Sequence, residues 1–156
     1  GPASPNDLAK WAGVTLGDAR RGLAAISDET VEGDEGLLDL AERPAPGPMP
    51  PPRLLGAFDP LLHGWVSREP VVGRHKGIVT TNGLFRPFAM VGGRAVATWG
   101  LDGMTLTIKP LEKIPKQVTA SLDEESADVL RYLGLTPAGA DRAHVSGPGD
   151  GKSSRR

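Results

Sequence analysis

Cysteine is absent from this 156-residue chain, so disulfides and cysteine-ligated zinc sites are excluded. Histidine is nearly as scarce. His63, His75 and His144 are scattered and do not form a metal-ligating cluster, so neither metal nor cofactor is expected. No apolar run approaches the roughly 20 residues a bilayer-crossing helix needs, and no secretory leader is visible. The expected location is therefore the cytoplasm. Apolar residues are also in short supply, at 38%, whereas glycine and proline together make up 36 residues. A chain of this size has room for one domain with a sizeable core or two small ones, and about a quarter of it is expected to be linker, turn or tail.

Charge is unevenly placed. Between Ser27 and Glu42 there are seven acidic residues and no basic one, and between Arg68 and Lys116 eight basic residues face three acidic ones. The formal net charge of −1 hides this division, and a polyanion would prefer the second segment.

Ser4-Pro5-Asn6-Asp7 predicts a helix start with a reciprocal cap, and Gly13 predicts its stop. Thr15 and Asp18 predict a second capped helix, with Leu16, Ala19, Leu23 and Ile26 as one buried stripe. Glu29 to Glu32, a Gly33–Gly36 turn and Leu37 to Ala41 predict a short hairpin. Two helices followed by a hairpin make a partial winged-helix unit over residues 1–42. In it, Arg20 and Arg21 on the second helix are candidate DNA contacts, although the acidic hairpin beside them would repel phosphates. Residues 43–53, R-P-A-P-G-P-M-P-P-P-R, read as a proline-rich linker, a stiff spacer in preference to a ligand for an aromatic groove.

Residues 54–134 read as a β-rich C-terminal domain, and 135–156 as a disordered tail whose Lys152, Arg155 and Arg156 add unspecific attraction to nucleic acid. Asp59-Pro60 predicts a capped short turn, with Phe58, Leu61, Leu62 and Trp65 in the core. Asp59 and His63 are four residues apart and could meet on a helix as an acid–base pair, but a cap plus a partly buried histidine accounts for them without chemistry. Gly77 to Thr81 reads as a strand before an Asn82-Gly83 turn. Leu84 to Trp99 reads as a hairpin about Gly92-Gly93, the residues a primed turn favours. Pro87 belongs at an edge or bulge. A Gly100–Gly103 turn and a strand from Met104 to Ile108 complete four strands, either a small antiparallel sheet or a partly open barrel. Ser121-Leu122-Asp123-Glu124 reads as the capping box of a C-terminal helix ending at Leu133, with Gly134 as its stop. The fold class is α+β.

The stretches L-L-G-A-F-D-P-L-L-H-G-W and N-G-L-F-R-P-F-A-M-V-G-G-R-A-V-A-T-W resemble the C-terminal module of the AlkZ-like (YcaQ) DNA glycosylases, winged-helix DNA-binding proteins of bacteria. P-N-D-L-A-K-W-A-G followed by D-A-R-R resembles that family's last winged helix. The resemblance covers residues 1 to 134 and implies a β-rich domain on a DNA-binding scaffold, in proteins that excise alkylated or crosslinked bases. The family's catalytic Gln-x-Gln or Gln-x-Asp is missing. Gln117 is the sole glutamine here and is followed by Val118-Thr119, so no catalytic residue carries over.

The expected function is a non-catalytic, DNA-binding portion of such a protein, associated with the nucleoid. Its candidate contacts are Arg86, Arg94, Arg74 and Lys76, followed by Arg20 and Arg21. The expected partners are double-stranded DNA and the parent's N-terminal domains. The alternative is a module that packs on those domains without touching DNA.

Overall fold

The computed structural model describes residues 1–75 and 77–135. Lys76 and the predicted tail beyond Leu135 lie outside the described residues.

Helix α1 (Pro5–Ala12) begins as its sequence predicts. The Ser4 side chain accepts from the Asp7 amide, the Asp7 side chain accepts from the Ser4 amide, and Gly13 closes the helix at φ 68°. Helix α2 (Leu16–Ala25) is capped by Thr15. Of the predicted stripe only Ala19 is buried. Leu16 and Leu23 are half-buried, and Ile26 is exposed. Strands β1 (Thr30–Glu32) and β2 (Leu38–Leu40) form the acidic hairpin. Ala3 lies along its far edge, exchanging hydrogen bonds of 2.9 Å with Leu38 in both directions.

The second sheet has the order β3-β4-β5-β6, all antiparallel: β3 (Arg53–Leu55), β4 (Phe88–Val91), β5 (Arg94–Asp102) and β6 (Thr105–Pro110). Two predictions fail here. The strand expected over residues 77–81 is absent apart from a single Val79–Phe85 bridge. Thr80 closes that segment into a loop with Leu84, its amide and hydroxyl donating to the Leu84 carbonyl at 2.9 and 3.2 Å. The fourth strand comes instead from Arg53–Leu55, at the end of the proline-rich stretch. The turn expected at Gly100–Gly103 is also displaced: β5 runs through Gly100, which pairs with Thr107, and the chain reverses at Gly103-Met104.

The Gly92-Gly93 reversal forms as expected, with φ 56° and 79°. Below it, the β4–β5 register shifts between Ala89 and Met90, leaving Val96 as an extra residue in β5. Strict alternation would put Val96 and Ala97 on opposite faces. The shift turns both toward the cluster formed with Leu54, Ala89 and Leu122.

The sheet is buried on both sides. Helix α4 (Lys116–Tyr132) packs Leu122, Val118 and Val129 on one face. On the other, Leu62 and Ile78 meet Phe88 and Ala95, together with Val71 and Val72 of the short helix α3 (Glu69–Val72). Helix α4 starts five residues before the predicted capping box, with Pro115 at the N-cap position and no side-chain cap. Pro115 already holds the extended geometry a helix entry needs, and the Ser121 hydroxyl donates back to the Gln117 carbonyl at 3.3 Å inside the helix. Glu125 of α4 covers the edge strand. It accepts from the Leu54 amide at 3.2 Å and from Arg53 at 2.9 Å.

Candidate nucleic-acid interface

The sheet's register decides where the cations stand. Thr98 of β5 lies opposite Lys109 of β6, and Gly100 opposite Thr107. These four residues share one face beyond the reach of the Leu62–Ile78 cluster, and with Arg86 and a single acidic residue, Asp102, they line an open groove of about 540 Å³. Arg86 is exposed, and its backbone amide is fixed by the Ile78 carbonyl at 2.8 Å. Sequence reasoning missed Lys109. Finding it requires a strand that runs through Gly100, where the glycine pattern points to a turn.

Arg94 opens β5 beside the Gly92-Gly93 turn. Its guanidinium lies over Gly73, with Nη2 at 2.8 Å from where a side-chain Cβ on that residue would stand. Gly73 has φ 54°, which favours glycine in any case, so its bareness both permits the turn after α3 and leaves room for the Arg94 guanidinium. The β unit thus brings Arg86 and Lys109 to one groove, whereas Arg94 reaches Gly73 and Arg74 is an exposed residue after it in the chain. Among the described residues, the ion pairs formed use Arg21, Arg43, Arg53, His75 and Arg131, and none of these four cations. Arg20 and Arg21 stand apart, on α2. Both are exposed, and Arg21 is tied to Asp18. Lys76 lies outside the described residues.

An aromatic cluster also escapes sequence reasoning. Phe58, expected in the core, is 51% exposed and has φ 58°, a left-handed conformation uncommon for a bulky residue. Leu62 is buried as expected, and Leu61 and Trp65 are half-buried. The Phe58 ring lies 5.5 Å from that of Phe85, and the His63 ring stacks on Phe85 at 4.7 Å with an interplanar angle of 14°. The Arg68 guanidinium lies 5.1 Å over Phe85, and its Nε donates to the Leu62 carbonyl at 2.7 Å. The Asp59 carboxylate is spent on capping, accepting from the Leu61 amide at 2.9 Å. Asp59 and His63 therefore do not form the acid–base pair their spacing allows. Among the described residues, no buried residue is polar or charged. Nor does any group of three or more metal-ligating side chains gather among them.

These features define an α+β module of small antiparallel sheets with a packed C-terminal helix and a basic, partly aromatic surface. The family model of the AlkZ-like DNA glycosylases matches residues 1–132, and the chain belongs to that family. The structure of Streptomyces sahachiroi DNA glycosylase AlkZ is similar over 86% of this chain, with a TM-score of 0.73 and 27% sequence identity. The match covers 40% of that enzyme's chain, so this chain spans well under half of it. No curated protein matches the sequence. Among the described residues, no helix is long and apolar enough to cross a membrane.

Proposed function

We propose that this chain is the DNA-binding, non-catalytic portion of an AlkZ-like DNA repair protein, whose parent removes alkylated or crosslinked bases. The observation that carries this reading is that Arg86 and Lys109 share one groove and that neither they nor Arg94 and Arg74 take part in an ion pair among the described residues. They lie in the one strongly basic segment of a chain whose net charge is −1. Cations left out of ion pairs can each displace a counterion from duplex DNA. In this reading residues 1–42 act as a partial winged helix that positions the β unit, and residues 43–53 link the two. The glycosylase chemistry falls to residues outside this chain, because Gln117, its sole glutamine, is an exposed residue of α4 and heads no Gln-x-Gln.

The test is duplex binding measured by anisotropy across a salt series. Removing Arg86 and Arg94 together is expected to flatten the slope of log K against log salt by about 2, close to one for each phosphate no longer neutralised. Arg20→Ala is expected to matter less. An unchanged slope in the double variant would assign the basic face to protein carboxylates of the parent's other domains instead.

A further inference from the structure

Phe58 stands where a hydrophobic ring has least reason to be. It adopts a left-handed backbone conformation and leaves half its surface in water. Burial does not explain the arrangement, because the core below is closed by Leu62, which is 1% exposed, without help from Phe58. The neighbouring rings are locked. Phe85 is half-buried in the Leu62–Ile78 cluster and carries His63 flat against it, with Arg68 pinned over the same ring by the Leu62 carbonyl. The result is a rigid aromatic step whose outer members, Phe58 and His63, are both exposed. Its chemical surroundings select the occupant. Arg86 follows Phe85 directly in the chain, and the segment from Arg68 to Lys116 carries eight cations against three anions. A planar ring borne on a polyanion fits such a surface better than an apolar peptide does, since every base offers a π-face and its phosphates meet the cations.

We infer that Phe58 and His63 form a stacking platform for one unpaired nucleobase, a base displaced from the duplex or left without a partner. This rests on the DNA-binding reading above and adds a site to it. Arg68 and Phe85 are positioning residues that hold the platform, while Arg86, next to Phe85 in the chain, engages the flanking backbone. The site gives the chain a preference for disrupted duplex over intact duplex that phosphate binding alone cannot supply.

The test uses the full chain and two oligonucleotides, a perfect duplex and the same duplex with one bulged 2-aminopurine. The wild-type chain is expected to bind the bulged form more tightly and to quench the 2-aminopurine fluorescence. Phe58→Gly removes the ring and accepts the left-handed φ without strain, so the fold is retained, as circular dichroism will show. It should weaken binding of the bulged duplex by about 5- to 100-fold and abolish the quenching, with perfect-duplex affinity nearly unchanged. His63→Ala should act in the same direction, and Phe58→Trp should restore binding. If the salt-dependent duplex binding remains but the bulge brings neither preference nor quenching, the platform is overturned and the DNA-binding reading stands. If neither oligonucleotide binds, both fail. A Phe58→Gly effect confined to self-association of the chain would also overturn it.

Discussion

The Asp7 carboxylate accepts from the Ser4 hydroxyl and amide at 2.6 and 2.9 Å, and from the Val66 amide at 2.7 Å. Its partial burial pushes the pKa up. The Ser4 and Val66 hydrogen bonds and the nearby Lys10 charge outweigh that and leave it below the ordinary 3.8. A carboxylate with a lowered folded pKa contributes stability above its unfolded value and loses it as pH falls through the folded one. Asp7→Ala is expected to cost about 1–2 kcal/mol at neutral pH, by loss of the cap and of the Val66 bond. In urea unfolding across a pH series, the gap between wild type and variant should close as the pH falls below about 4. A gap that stays constant down to strongly acidic pH would mean Asp7 acts by packing alone. The cap was legible in Ser4-Pro5-Asn6-Asp7, because all its partners lie within one turn. The bond to Val66, 59 residues away, was not, since nothing local in sequence encodes it.

At the scale of elements, local signals worked where one turn decides the geometry and failed where packing does. Gly92-Gly93 located its reversal because both residues must take positive φ. The strand read over Gly77–Thr81 became a loop because Ile78 plugs the core beneath the sheet at 0% exposure, a demand no periodicity reveals. Its place in the sheet went to three residues after a run of prolines, where Leu54 could pair with Ala89 and bury beside α4. The cation pair of Arg86 and Lys109 was half legible for the same reason, since it depends on register rather than on composition. Helix α4 offers the clearest trial. If Ser121 capped it, Ser121→Ala would cost about 1 kcal/mol. The hydroxyl instead bonds the carbonyl four residues back, so Ser121→Ala is expected to change stability by less than about 0.5 kcal/mol. Leu122→Ala next door, at a side chain 2% exposed against the sheet, should cost about 2–5 kcal/mol. Thermal or urea unfolding of the two variants separates a helix beginning at Lys116 from one beginning at Ser121.

Across the whole molecule, the helical pair with its acidic hairpin and the basic four-stranded unit are joined beyond the chain connection by a short seam. Lys10 donates to the Trp65 carbonyl at 2.7 Å, Asp7 receives the Val66 amide, and Trp11 lies against Gly64. Trp11 is 72% exposed, so the seam owes little to apolar burial. It rests on those two hydrogen bonds and needs the bareness of Gly64, where an added Cβ would stand 3.0 Å from Trp11 Cδ1. The seam fixes how α2 with Arg20 and Arg21 is presented relative to the Arg86–Lys109 groove, so it governs whether the two surfaces can serve one ligand. The double replacement Lys10→Met with Gly64→Val removes the Lys10 hydrogen bond and displaces Trp11, and it leaves both the α1 cap and the sheet core intact. Amide hydrogen exchange should then show faster opening of α1, α2, β1 and β2, while β4, β5 and β6 keep their protection. Duplex affinity should fall less than in the Arg86–Arg94 double variant, because the cations of the β unit remain in place. Equal loss of protection in both units would show instead that the seam supports the core of the whole chain.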